Sequence, residues 1–234
     1  MFITLLFFAA LPTDAELASV HVVVKTEWRE CNAEFCRTTT QISSGVVVAS
    51  DATRTLFLTN RHVVLSEAGQ PGRTTVRLSD QSLYSATIAA ISAPDEDLAV
   101  LSVPGGPVAV VAAIAPASHC ATGDVVTIGW RTGIRRGHVL GLSPKQGFQD
   151  YFTDYRSWDG DSGGPLFDGQ FLIGIQTAAD QIGQPGSYAR DLATSPFIAQ
   201  TLRSTTFRAG EVTIQQRQEL YRMAPNPAAC FKSY

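Results

Sequence analysis

Three short segments hold the side chains that could do chemistry. Gly160-Asp161-Ser162-Gly163-Gly164-Pro165 sets a serine among glycines, whose missing side chains let backbone and a bound molecule approach closely. Leu58-Thr59-Asn60-Arg61-His62-Val63-Val64 presents a histidine after an apolar run, and Asp95-Glu96-Asp97-Leu98-Ala99-Val100-Leu101 presents an aspartate leading into another. A serine hydroxyl is a weak nucleophile until an imidazole takes its proton. A carboxylate then fixes the imidazole tautomer and steadies its charged form. Ser162, His62 and Asp97 can fill those roles. Asp95 competes from two residues away, but the placement of Leu98-Ala99-Val100-Leu101 favours Asp97. Gly, Asp and Ser also make ordinary turns, and His62 could be a packed core residue; the presence of all three segments together favours chemistry.

The elements that must position these residues read as strands. Thirteen segments between Ser19 and Leu192 are rich in β-branched residues and divided by Gly, Pro, Asn or Asp. They are Ser19–Lys25, Gly45–Ser50, Thr55–Asn60, Thr74–Ser79, Leu83–Ile91, Ala99–Val103, Val108–Ile114, Asp124–Trp130, Gly137–Leu142, Tyr151–Asp154, Gly164–Phe167, Phe171–Thr177 and Ser187–Leu192. Pro104-Gly105-Gly106-Pro107 and Ala115-Pro116 mark a divide near the middle. Thr194-Ser195-Pro196 has the form of a helix cap with proline in the first turn, opening a helix to about Leu202. Glu211 to Met223 is weakly helical in pattern.

Together the three segments resemble the trypsin/chymotrypsin clan of serine endopeptidases, and within it the bacterial HtrA (Deg) branch. Ser44-Gly45-Val46-Val47, Thr153-Asp154 and Phe171-Leu172-Ile173-Gly174-Ile175-Gln176-Thr177 are further HtrA-like elements, and the likeness covers about residues 19 to 203. Asp161 departs from it, since Asn is usual there. The resemblance implies an all-β fold of two six-stranded antiparallel β-barrels followed by a C-terminal helix. The barrels would span about 16–104 and 117–194 within a protease domain of 16–204, with 205–234 as a tail too short for a PDZ module. It also implies an acyl-enzyme mechanism, with the N–H groups of Gly160 and Ser162 as the oxyanion hole. The order His, Asp, Ser, with His62 35 residues before Asp97 and Asp97 65 before Ser162, suits a compact version of this fold. It does not suit a Gly-x-Ser-x-Gly hydrolase, whose Asp and His follow the serine.

By the same resemblance Arg156, six residues before Ser162, would floor the primary specificity pocket and favour an acidic substrate residue. Alternatively it turns toward Asp154 or Asp161, leaving a small apolar pocket walled by Ile175 and Thr177. A buried Asp161 would need a partner, for which Arg61 and Arg156 are the candidates. No Ile-Val-Gly-Gly sequence occurs, so activation by a freed trypsin-type N-terminus is not implied. A catalytically silent peptide-binding module and a serine esterase share these features and remain alternatives.

Composition fits one enzyme domain. The 234 residues are 44% apolar, and the net charge of −3 argues against a nucleic-acid partner. The sequence contains no Walker-type or dinucleotide glycine loop, and no cofactor is implied. His21, His119 and His138 read as surface or packing residues, and no histidine has metal-site spacing. Residues 1–11 are apolar but too short to span a bilayer, so 1–15 reads as a signal peptide cut after Ala15. Secretion or a periplasmic location is therefore expected, with no stable membrane insertion and with protein or peptide substrates. The sequence assigns no oligomeric state. Cys31 and Cys36 could staple a hairpin tip, and Cys120 and Cys230 would then pair by elimination; four reduced thiols are the competing reading.

Overall fold

A computed structural model describes residues 11–31, 35–105, 108, 110–116, 119, 121, 123–145, 148–179, 186–203, 208–209 and 212–213. The first barrel is built from β1 (His21–Cys31), β2 (Cys36–Ser50), β3 (Arg54–Thr59), β4 (Arg73–Arg77), β5 (Leu83–Ile91) and β6 (Ala99–Pro104). Its antiparallel order β1-β2-β3-β6-β5-β4 closes through β1 and β4. Alternation dictates what points inward: Val22, Val24, Thr26 and Trp28 on β1 are buried while their neighbours are not. Val22 and Val24 meet Val47, Phe57, Val76 and Leu101 in the barrel interior. Each such side chain contributes about 1.5–3 kcal/mol when fully removed from water.

The second barrel uses β8 (Asp124–Gly129), β9 (Gly133–Lys145), β10 (Phe148–Thr153), β11 (Pro165–Asp168), β12 (Phe171–Ala179) and β13 (Ser187–Asp191). The ring β11-β8-β9-β10-β13-β12 closes through β11 and β12, and the two-residue β7 (Ala113–Ile114) pairs parallel with the outer edge of β12. Val125, Tyr151, Leu166, Ile173 and Ala189 fill its interior. A buried Arg190–Asp150 ion pair of 2.7 Å bridges the paired strands β10 and β13.

Between the barrels lies the largest apolar cluster. From Ser43 to Ser50 every residue of β2 is buried, because one face looks into its own barrel and the other is covered. Val46, Val48, Leu56 and Leu58 of the first barrel meet Val126, Phe167, Leu172 and Ile175 of the second there. Two helices seal it: α1 (Asp14–Val20) supplies Leu17 and Val20, and α3 (Pro196–Ile198), running on into a π turn at Ala199–Arg203, supplies Phe197, Ile198 and Leu202. Ser195 caps α3 by accepting from the Ile198 N–H, as its sequence suggests.

Several expectations are revised. Residues 19 and 20 are helical rather than extended, because Thr13 and Glu16 form a reciprocal capping box that starts a helix one turn earlier. Ala15 is the second residue of that helix, so a cut after it would remove the cap. Among its described residues the segment Val108–Ile114 contributes strand only at the last two, and β2 begins nine residues before Gly45. Cys31 and Cys36 are disulfide-bonded and face each other across the β1–β2 register; Cys120 and Cys230 lie outside the described residues. Of the 205–234 tail, Arg208–Ala209 pairs with Val212–Thr213 as short strands, so the helical reading fails at 212–213. The rest of that tail, and residues 1–10 of the apolar N-terminal run, lie outside the described residues.

Since α1 covers the inter-barrel cluster and packs against β1, β2 and β8, it is structural rather than dispensable. Replacing fully buried Leu17 with alanine is expected to cost about 3 kcal/mol, and Thr13→Ala about 1 kcal/mol, in equilibrium denaturant unfolding. Unchanged midpoints in both variants would show that α1 is not part of the folded domain.

Candidate active site

His62 sits on α2 (Arg61–Val64), a single helical turn entered from extended Asn60. Val63 and Val64 are fully buried, which turns the imidazole outward. The His62 Nδ1 lies 2.8 Å from Asp97 Oδ2, and the His62 backbone N–H donates to Asp97 Oδ1 at 3.0 Å. An ionised carboxylate can only accept, so this contact places the proton on Nδ1 and leaves Nε2 as an acceptor. The pair is partly open to solvent, with 41% of the His62 side chain and 21% of the Asp97 side chain exposed. Asp95 is exposed and plays no part in this pair.

Asp97 adopts φ +54°, a left-handed conformation that costs a non-glycine residue about 1–2 kcal/mol. Its carbonyl holds it there by accepting from Asn60 Nδ2 at 3.0 Å and from the Arg61 N–H at 3.2 Å. The same backbone that carries His62 therefore clamps the backbone of its carboxylate partner.

Ser162 comes from the other barrel, on the tight turn before β11. Its carbonyl accepts from the Ser44 N–H at 2.8 Å, the Gly163 N–H donates to the Gln176 carbonyl at 2.9 Å, and the Gln176 N–H returns to the Gly164 carbonyl at 2.8 Å. Gly163 has φ +85°, and a Cβ there would collide with the Ser44 carbonyl and the Thr59 hydroxyl. Only glycine lets the turn lie this close to β2 and β3. Since Thr59 adjoins Asn60, the contact brings the serine turn onto the seam that carries His62 and Asp97. Gly160 has φ +99° and packs under Trp130, and its carbonyl accepts from Ser44 Oγ at 3.1 Å. Among the described residues, nothing accepts from the N–H of Gly160 or Ser162, and no hydrogen bond joins Ser162 Oγ to His62.

Asp161 is 2% exposed, and the expectation of an arginine partner is wrong. Its Oδ1 accepts from the N–H groups of Arg131 and Thr132, both at 3.1 Å, and its Oδ2 from the Trp158 N–H at 2.9 Å. Three backbone dipoles thus solvate the buried charge. The nearby His21 does not neutralise it: burial pushes that imidazole down to about 4, against the pull of Asp161. Arg61 instead donates to the Ser92 carbonyl at 3.1 Å. Arg156 is exposed and stacks over the Trp158 ring at 4.2 Å, so it pairs with neither Asp161 nor Asp154. Asp154 is taken by His138, at 2.8 Å, and this contact raises the His138 pKa.

The apolar specificity pocket also needs correction. Ile175 is fully buried in the inter-barrel cluster and cannot touch a substrate, while half-buried Thr177 donates to the Tyr188 carbonyl at 3.3 Å. Sequence reasoning missed a groove of about 760 Å³ beside His62 and Asp97, walled by Trp28, Thr39, Gln41, Leu65 and Pro94. Its residues are scattered over four elements and carry no local signal. Among the described residues no cluster of three or more His, Cys, Asp or Glu side chains could hold a metal. The Asp161 assignment has a direct test: Asp161→Ala removes the acceptor shared by three backbone N–H groups and is expected to lower unfolding free energy by about 3 kcal/mol. Arg156→Met should change it by less than about 1 kcal/mol; equal losses in denaturant titrations would restore the arginine pairing.

Comparison with known proteins agrees with this architecture. The HtrA-type protease AlgW with a decapeptide superposes with TM-score 0.59 at 20% identity, over 77% of this chain and 64% of that one, so the chain spans less than two thirds of that relative's length. A second AlgW structure with decapeptide gives TM-score 0.65 at 20% identity over 82% and 67%. The active form of the Rv3671c protease from M. tuberculosis gives TM-score 0.62 at 21% identity over 83% and 84%. No curated protein sequence matches. The family model of the trypsin-like peptidase domain matches residues 43–175, a stretch that holds His62, Asp97 and Ser162. With that match over more than half of its length, the chain belongs to the trypsin-like peptidase family.

Proposed function

We propose that the protein is an exported serine endopeptidase that cleaves peptide bonds through an acyl-enzyme on Ser162. The observation that carries this reading is the His62–Asp97 pair, bonded at both carboxylate oxygens, on the seam against which the Ser162 turn is packed. In the reaction His62 Nε2 takes the Ser162 hydroxyl proton as Oγ attacks the carbonyl carbon, then delivers it to the leaving amine; Asp97 steadies the imidazolium between these steps. The uncommitted N–H groups of Gly160 and Ser162 receive the oxyanion, where each such donor typically lowers the barrier by about 3 kcal/mol. Water then repeats the sequence to release the acyl group.

Export is supported by the apolar residues upstream of α1 and by the Cys31–Cys36 disulfide, which suits an oxidising compartment. No helix among the described residues is long and apolar enough to cross a membrane. Peptides as substrates are supported by the groove beside His62, which has the size to hold several residues.

An acidic residue before the cleaved bond is the preference we assign. Arg131 and Arg156 approach the exposed Trp158 ring at 5.8 and 4.2 Å, and all three lie within a few residues of Asp161 in chain or contact. Among the described residues no carboxylate lies within ion-pair distance of either guanidinium. This leaves two guanidinium groups without a direct ion-pair partner near the proposed oxyanion site.

A fluorophosphonate probe should label the wild-type protein and fail to label Ser162→Ala; absence of labelling in folded wild-type protein would overturn the nucleophile. Matched peptides with Asp or Asn before the scissile bond should differ about tenfold in kcat/KM at low salt. That ratio should fall to near one in Arg131→Glu/Arg156→Glu. A ratio already at one in wild type removes the acidic preference.

A further inference from the structure

Glu96 adjoins Asp97 in the chain, yet its side chain points away from His62 and into the protein, where it is 4% exposed. There it meets the start of α3 from the far end of the domain: Glu96 Oε1 accepts from the Phe197 N–H at 3.2 Å and from the Ser195 hydroxyl. Ser195 Oγ in turn accepts from the Ile198 N–H at 3.0 Å, and Phe197 and Ile198 are buried in the inter-barrel cluster. Within the loop that ends in Asp97 the N–H groups of Glu96 and Asp97 both donate to the Ala93 carbonyl and the Ser92 hydroxyl accepts from the Leu98 N–H at 2.8 Å, while Arg61 ties the Ser92 carbonyl from outside at 3.1 Å. Asp97 is thus held left-handed from two sides, by Asn60 and Arg61 at its carbonyl and by the α3 start through the preceding residue.

Building on the proposed catalytic reading, we propose that Glu96 is a positioning residue that makes the geometry of the His62–Asp97 pair depend on the docked C-terminal helix. Removing its carboxylate frees the backbone between Ala93 and Asp97 to relax toward ordinary dihedrals, swinging the Asp97 carboxylate off Nδ1 without touching the substrate groove or Ser162. Chemistry suffers and probe binding does not. Glutamine keeps an acceptor oxygen in the same place and so keeps the clamp.

The test uses the full-length protein and the fluorophosphonate, with labelling rate followed against probe concentration well below each variant's unfolding temperature. Glu96→Ala is expected to lower the maximal labelling rate about tenfold with the half-saturating concentration unchanged. Glu96→Gln should stay within about twofold of wild type, and Ser195→Ala, which removes one of two donors to Glu96, should fall between them. If Glu96→Ala does not fold, Ser195→Ala decides, because Glu96 keeps its Phe197 partner there. Lowered thermal stability with wild-type labelling kinetics in the folded protein would reduce Glu96 to a structural residue and overturn the proposal. A second readout separates this failure from failure of the catalytic reading: in histidine-labelled protein carrying Ser162→Ala, the hydrogen-bonded His62 Nδ1–H signal, assigned with His62→Gln, should weaken in Glu96→Ala and persist in Glu96→Gln. That result holds even if the wild-type serine proves unreactive, and an unchanged signal in Glu96→Ala would sink the clamp.

Discussion

The candidate site hangs on one fully buried serine other than Ser162. Ser44, on β2, spends each of its polar groups on a different piece of the molecule. Its N–H donates to Ser162, its hydroxyl donates to the Gly160 carbonyl while accepting from the Trp130 N–H, and its carbonyl accepts from the Thr59 hydroxyl. Those four bonds join two strands of the first barrel to the β8 end and the Ser162 turn of the second. In a dry seam such groups cannot fall back on water, so losing one leaves its partner buried and unpaired. The apolar cluster brings the barrels together, and this polar node fixes their register at the point where reacting groups must meet.

The buried carboxylate of Asp161 works on the same principle from the other side of the turn. A charge in this position could have been met by a guanidinium, which would have fixed it from a flexible side chain. Backbone N–H groups of the β8–β9 connection meet it instead, with no rotamer freedom to lose. Gly129 makes room for it, since a side chain there would overlap the carboxylate. The Gly160–Ser162 backbone is thereby tied to a strand connection of its own barrel at one carboxylate and to the opposite barrel at Ser44.

Much of this was legible in the sequence. The β-branched segments and their Gly, Pro, Asn and Asp dividers located most of the barrel strands, the family resemblance implied that they form a double barrel, and the glycines around Ser162 signalled a close backbone approach. The placement of Asp97 before a buried strand favoured it over Asp95, and it is the Asp97 carboxylate that meets His62 Nδ1. What stayed hidden is contact made across the chain. The Asp161 carboxylate takes two of its three donors from about thirty residues upstream, and backbone donors leave no residue-type signature. Arg156 carries a charge that suggests a salt bridge, yet it finds an aromatic ring two residues on. Ile175 looks like any strand residue, and only the packing of the second barrel onto the first decides that it faces the cluster rather than the cleft. The first helix was masked by Val20, His21 and Val22, whose β-favouring run extends backward past the point where the Thr13 cap takes over.

The two sealing helices have a temporal consequence. Leu17 and Val20 from the start of the domain and Phe197, Ile198 and Leu202 from its end close over the same apolar cluster. Contacts so distant in sequence carry a large loop-closure cost and form late in folding. A chain emerging from its N-terminus can assemble the first barrel, but the lid over the inter-barrel cluster and the partner of Glu96 arrive only when residues near 200 have been made. The cover over the inter-barrel cluster therefore closes only once residues near 200 have been made, and the last element to dock is the one that reaches the residue before Asp97.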